Sequence, residues 1–469
     1  MSVFRILSTK SNTIASGLYR SYNSGQNACT DLWYGGGEVQ SVRNSLSRHL
    51  IYFDLTDLQN KFNSSEIMSG NVTSYKLKMK NSIPSDDVLT NDFQYDRLYK
   101  NIATSFDLIA FPINKFWDQG RGYDLFSEEY IVRQKGNSVT TGYSNWDYAT
   151  SVQNWDEPGV FTEPSTAVTF SLPTQHFDIG NEDMEIDITE IVNHWIVSGN
   201  TNFGIGIAYR NDYEQISGNT RYISSFLTSK TNSAFKPFIE VNYNQYIKDD
   251  RNQVSNNRLS RLFLYTFSGN NSSNFYSAST VTVKNQSNSV IASGIVPTKF
   301  AKGVYYFDIL MSGATRGQKY TDIWSGITFV PGVDRQDYTQ NFIITDNYYN
   351  SPVTINHYTL NTYGIENNQI INGNQVIRNF VIVRVDYSQR GPQPYFTLNY
   401  KMTMNNQTEI IPWTPVNMTI RNNCQEIYFD IDTSWLLNNQ TYKIEFSILE
   451  LGSTKITPES IVFRVIKPF

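Results

Sequence analysis

Four histidines, His49, His176, His194 and His357, and two cysteines, Cys29 and Cys424, are all that this sequence offers for imidazole or thiolate chemistry. A zincin-type zinc site needs a second His at i+4 on the same helix, and His194 has none. Neither Cys has another at metal-ligand spacing, and no nucleophile elbow, Walker A loop or dinucleotide-binding glycine fingerprint occurs. No cofactor and no metal is therefore expected. Carboxylates are what remains. Most glycosidases need only a pair of them flanking the scissile bond, and Asp118, Asp124, Asp147, Asp156 and Glu157 lie among Trp117, Tyr123, Trp146 and Trp155.

The plainer explanation of that cluster is structural: Asp bonds its own backbone in turns, and Trp is mostly core or edge packing. No residue is assigned a catalytic role, and the chain reads as non-enzymatic. Trp117, Tyr123, Trp146 and Trp155 have a second use, either stacking on a sugar ring or anchoring a protein interface, since both need large rigid area at low entropic cost. Calcium at Asp86 and Asp87, or at Asp183 and Glu185, lacks the EF-hand spacing.

The elements that must position these residues are strands. With 31 Tyr and 28 Phe, aromatics reach 14% against only 17% charged residues, a balance that suits half-buried pleated surfaces. The 469 residues fit two to four domains. A net charge of -5 without a basic block argues against a phosphate-backbone binder, so nucleic acid is not an expected partner. No secretory h-region opens the chain and no run of about 18 apolar residues occurs, so neither export nor a membrane span is expected. Two distant cysteines imply reduced thiols and assembly in a cytoplasm.

Strand signals recur at 50–55, 74–80, 106–111, 167–172, 203–209 and 238–243, implying an N-terminal jelly-roll-like sandwich over 1–245. One helix is expected at 188–196, with Asp187 able to cap it. The polar stretch 246–257 reads as a linker. Strands at 261–267, 279–284, 303–308 and 321–326 then imply an immunoglobulin-like sandwich over 258–366. After an Asn/Gly-rich break at 367–374, five further strand signals imply a second such sandwich over 372–469. The pattern Tyr-Phe-Asp-Leu/Ile occurs at 52–55, 306–309 and 428–431, and convergent strand chemistry explains it as well as duplication does. The fold class is all-β.

Residues 117–243 carry Trp117-Asp118-Gln119-Gly120-Arg121-Gly122-Tyr123-Asp124, Asn145-Trp146-Asp147-Tyr148-Ala149, Ile186-Asp187-Ile188-Thr189-Glu190-Ile191-Val192-Asn193-His194-Trp195 and Lys236-Pro237-Phe238-Ile239-Glu240-Val241. In these segments the chain resembles the DNRLRE family, β-sandwich modules related to carbohydrate-binding modules. Such a module followed by two cysteine-free sandwiches is similar to virion proteins of tailed bacteriophages, particularly the short-tailed, crAss-like ones. The resemblance implies a structural subunit in the tail, collar or head-to-tail region, assembled in the host cytoplasm and resident in the virion. Its partners would be other virion proteins and further copies of itself in a symmetric ring or fibre. The alternatives are a head-fibre protein or adhesin binding host polysaccharide, and a carboxylate-dependent glycan hydrolase.

Overall fold

The computed structural model describes residues 2–17, 20–21, 23–35, 45–82, 105–122, 143–160, 171–210, 221–251, 254–257, 259–268, 271–275, 279–329, 336–345, 355–387, 396–421, 424–450 and 453–467. The protein is all-β, as expected, and its chain contacts divide it into two compact units. One comprises Phe4–Thr56 and Thr73–Asn242; the other comprises Met1–Val3, Asp57–Val72 and Tyr243–Phe469.

The first unit is built on ten strands in one hydrogen-bonded network. Its long strand Ser2–Ala15 pairs antiparallel with Ser45–Phe53, which pairs in turn with Ile205–Tyr209. That strand pairs with Phe106–Pro112, whose other neighbour is Thr174–Phe177. The strand signal at 167–172 falls largely outside the described residues. The expected helix, α2, spans Thr189–Ile196 and buries Ile191, Val192 and Trp195. Ile188, not Asp187, stands at its N-cap without a side-chain cap; Asp187 instead accepts from the Thr189 amide at 3.0 Å and hydroxyl at 2.5 Å in a turn that leads into the helix.

A helix the sequence analysis does not anticipate, α1 at Thr56–Asn63, begins the same way, with Asp54 accepting from the Thr56 amide at 2.9 Å and hydroxyl at 2.6 Å. The local code, Asp54-Leu55-Thr56-Asp57-Leu58 against Asp187-Ile188-Thr189-Glu190-Ile191, is the same in both.

The second unit holds two sandwiches. In the first, the sheet of Leu259–Tyr265, Val304–Leu310 and Thr298–Ala301 faces the sheet of Val290–Ile295, Thr280–Asn285, Lys319–Ile327 and Gln336–Ile343. They share a core in which Phe307 meets Trp324 edge-on, their ring centroids 5.3 Å apart. In the second, Tyr400 and Phe446 from one sheet pack on Phe429 from the other. The strand Ile355–Tyr363 pairs with Val376–Tyr387, and Gln369–Asn372 pairs parallel with Ser453–Ile466. Residues 355–366, read from sequence as part of the middle module, and the presumed break at 367–374 thus supply strands to the C-terminal sandwich.

The stretch 246–257 is no free linker either. Met418 donates its amide to Ile247 O at 3.0 Å, and Asp249 donates to Met418 O at 3.3 Å. Asp250 donates to Arg261 O at 2.9 Å, and Val254 bridges Ile344. Segment 57–72 is likewise tied into this unit: Lys61 pairs with Asp432 at 2.9 Å, and Ser65 O accepts from the Lys302 amide at 2.7 Å.

The recurring Tyr-Phe-Asp pattern is one device used twice. Arg261 lies 3.9 Å from the Tyr306 ring centroid and grips Asp308 with two hydrogen bonds of 2.7 and 2.8 Å. Arg378 lies 4.1 Å from the Tyr428 ring and grips Asp430 with two of 2.9 Å. Each Arg stands directly across an antiparallel pair from its Asp, while Phe307 and Phe429 point into the core.

In the first unit His49 is fully buried; its Nδ1 lies 3.4 Å from Thr13 Oγ1 and its Nε2 has no partner. Burial pushes the imidazole down to about 3. Because this folded value lies below the unfolded one, near 6.5, the stabilisation is complete above pH 6.5 and is lost as pH falls towards 3. From pH 7 to pH 5 the unfolding constant of this unit is expected to rise by about 25-fold, and by far less in His49→Gln. Denaturant titration followed by tryptophan fluorescence at the two pH values checks this; equal pH dependence in both proteins would contradict it.

Candidate functional site

The motif residues of the first unit do converge, but around a loop knot. Asn23 uses its whole side-chain amide there: Oδ1 accepts from the Gly25 and Gly122 amides at 3.1 and 2.9 Å, and Nδ2 donates to Gln119 O and Ser144 O at 2.9 and 2.8 Å. The two loops touch so closely that a Cβ on Gly122 would stand 1.7 Å from Asn23 O, and one on Gly25 would stand 2.0 Å from Gln119 O. Gly120 has φ +81°, a conformation that favours glycine. The Trp117–Gly122 motif is therefore explained by chain packing.

Trp117, Trp146 and Trp155 are buried together with Ile14, Leu50, Ile109 and Phe111. Trp117 donates its indole N–H to Phe203 O at 2.8 Å, and Trp155 donates to Asn145 O at 2.7 Å. Gly159 packs under Trp146, and Arg48 lies 5.1 Å from that ring's centroid and donates to Gly159 O at 2.8 Å. None of the three presents a face for a sugar ring, so the expectation of exposed stacking platforms is corrected: burying these large apolar surfaces outweighs exposing them. Tyr123 and Asp124 lie outside the described residues, as do Asp86 and Asp87.

The neighbouring acids have cationic or backbone partners. Asp147 takes two hydrogen bonds from Arg20 Nε, at 2.8 and 2.6 Å, and Asp156 pairs with Lys115. Asp118 is held through its backbone, donating to Ala149 O at 3.0 Å and accepting from the Ser144 hydroxyl at 2.7 Å. Glu157 is exposed. Asp183 and Glu185 pair with Lys80 at 2.8 Å and Lys76 at 2.5 Å. Among the described residues no group of three His, Cys, Asp or Glu side chains is placed to hold a metal. Cys29 is a free thiol.

Two arrangements escape sequence reasoning. Phe116, half-exposed beside buried Trp117, shares Lys10 with Tyr52, the ammonium lying 5.0 and 5.3 Å from the two ring centroids. In addition, Ser105 Oγ lies 3.2 Å from His176 Nε2, and His176 Nδ1 lies 2.7 Å from Asp107 Oδ1. These distances match a Ser-His-Asp relay. The surroundings differ from one. Asp107 is also paired with Arg210 at 2.6 Å, Asp178 approaches the same His176 nitrogen at 3.4 Å, and the imidazole is half-exposed on a strand at the end of its sheet. Asp107 thus lies between Arg210, just past the end of strand Ile205–Tyr209, and His176 on strand Thr174–Phe177. Ser105 immediately precedes the strand that carries Asp107, but His176 lies 69 residues beyond Asp107, out of reach of any local motif.

No family model and no curated protein matches the chain. Among solved structures, the Ig1-2 module of the Drosophila receptor protein tyrosine phosphatase DLAR is 11% identical, with 48% of this chain and 97% of that one covered and a TM-score of 0.16. Three domains of the bacteriophage RB49 outer capsid protein Hoc are 10% identical, covering 46% and 66%, with a TM-score of 0.16. Trypsin-activated α2-macroglobulin from Escherichia coli is 10% identical, covering 56% and 19%, with a TM-score of 0.17. Similarities of this size carry no argument about function. No helix among the described residues is long and apolar enough to cross a membrane.

Gly122→Ala is expected to lower the denaturation midpoint of the first unit sharply, and Trp155→Ala to cost about 3–5 kcal/mol. Fluorescence-monitored guanidinium titration checks both. A Trp155→Ala protein of unchanged stability would contradict its placement in the core.

Proposed function

We propose that this chain is a non-enzymatic structural component of a tailed-phage virion, working through protein contacts of its two immunoglobulin-like sandwiches in the tail, collar or head-to-tail region. The observation that carries the reading is where large apolar side chains stand. The tryptophans suited to stacking on a sugar are interior, whereas Val290, Val296, Val376 and Ile382 on the sandwiches are 56%, 75%, 58% and 45% exposed. Val376, Phe380 and Ile382 recur at alternate positions of one strand, so they share a sheet face, and Tyr363 stands opposite Phe380 on the neighbouring strand. Large exposed aliphatic and aromatic groups on one sheet face are what a protein interface buries. The virion context comes from the resemblance of residues 117–243 and of the serial β modules.

The test combines particle and variant. Mass spectrometry and cryo-electron microscopy of purified virions should find the chain in a symmetric position with its sandwiches against other subunits. A Val376→Lys, Ile382→Lys double variant, altered only at exposed positions, should fold normally yet enter particles at least about tenfold less in a complementation assay, since two buried ammonium groups oppose association. Absence of the chain from particles, or normal incorporation of the variant, would overturn the reading. Binding of the full chain to host polysaccharide in the absence of other virion proteins would favour the adhesin alternative.

A further inference from the structure

Within the second unit, Asp249, Arg251 and Asp322 are buried together where the segment 247–251 is bonded both to strand Asn417–Arg421 and to strand Leu259–Tyr265. Arg251 is committed to Asp322, with Nη1 to Oδ1 at 2.5 Å and Nη2 to Oδ2 at 3.1 Å, and Nη2 also donates to Phe263 O at 3.1 Å. Trp324 donates its indole N–H to Asp322 Oδ2 at 2.8 Å. Asp322 is thus well satisfied. Asp249 is not: its Oδ1 accepts from the Arg251 amide at 3.1 Å, but its Oδ2 has no hydrogen-bond partner and lies 4.0 Å from Arg251 Nε, itself without one. Tyr265, whose hydroxyl is buried beside Thr419, faces the cluster from strand Leu259–Tyr265.

One guanidinium between two buried carboxylates leaves one negative charge in excess, and a proton is the smallest counter-charge that removes it. We infer that Asp249 is a proton-binding switch at the joint between the two sandwiches: protonated, it lets segment 247–251 stay bonded to Met418; ionised, it loosens that bond. The geometry supplies the reason, since Asp249 is the carboxylate Arg251 does not grip. The charged and titratable groups facing it are Arg251 on its own segment, Asp322 on strand Lys319–Ile327 and Tyr265, with Tyr428 of the C-terminal sandwich behind Tyr265. Lys248 and Asp250 flank it and lie 3.9 Å from each other.

Burial raises the Asp249 carboxyl from 3.8 to about 7, so its contribution is complete below pH 4 and is lost as pH rises to about 7. The direction is opposite to that of His49 in the other unit, so a local readout is needed. The experiment is hydrogen exchange of the full chain, corrected for intrinsic rates, at the amides of Asp249 and Met418 between pH 5 and pH 8. Opening is expected to grow by about tenfold per pH unit up to near 7 and then level off. Asp249→Asn should abolish that rise and keep the joint protected at pH 8. Asp322→Asn frees Arg251 to serve Asp249 and should move the rise to lower pH by about one unit or more. A rise that persists in Asp249→Asn would overturn the switch, as would failure of that variant to fold at pH 6, because the neutral side chain is the proposed closed state. A flat profile in the unaltered protein would overturn it equally.

Discussion

The arrangement of the second unit rests on a guanidinium that cannot leave its site. Taking Arg251 and Asp322 out of water costs several kcal/mol for each ion, and the cost is offset by the two hydrogen bonds they share together with those to Phe263 O and from the Trp324 indole. Such a pair adds little net stability over a well-packed apolar replacement, but it is intolerant of rearrangement, because any shift strands a buried charge. It therefore fixes the direction of segment 247–251, and with it the backbone bonds to Met418 and Arg261. A polar stretch that composition marks as a linker becomes a brace because one of its residues must reach Asp322, 71 positions downstream.

The first unit applies the same constraint with neutral groups. Asn23 meets four backbone partners from three chain segments, and the glycines at 25 and 122 allow the approach that saturates it. A fully satisfied buried amide specifies one loop arrangement, since every alternative leaves donors or acceptors unpaired. The tryptophan cluster then packs beneath a fixed lid of chain. Residues that look like a ligand-binding motif in one dimension are, in three, those that make loop crossing possible.

What was legible in the sequence follows from how far each signal travels. Alternating strands such as Tyr75, Leu77 and Met79, all buried, show in the pattern because their periodicity is local. The helix at Thr189–Ile196 shows for the same reason. Helix α1 carries the same Asp-x-Thr start but was not anticipated, because its apolar periodicity is thin, with Leu58 the one buried side chain it contributes. Partner choice was not legible. Nothing near residues 355–363 says that they pair with Val376–Tyr387, nor does anything near Lys61 point to Asp432, because both are decided by tertiary complementarity. The site reading failed at Trp117, Trp146 and Trp155 because sequence gives an aromatic residue's neighbours along the chain but not its side of the sheet. Phe116 and Trp117 are adjacent, and one is half-exposed while the other is buried.

The edges of the sandwiches bear on how the exposed apolar groups can act. The strand Thr408–Pro415 lies at the end of its sheet and carries Pro412 and Pro415, which cannot donate to a further strand. The strand Val290–Ile295, also at an end, slips register twice against Thr280–Asn285, with Gly294 at φ +70° inside the irregular stretch. Bulges of this kind twist an edge away from regular ladder pairing. Val290, Ile291 and Val296 are thus presented on backbone poorly suited to strand addition. They favour contact through side-chain packing, which demands shape complementarity, over open-ended edge pairing. That combination fits the proposed assembly through matching side-chain surfaces.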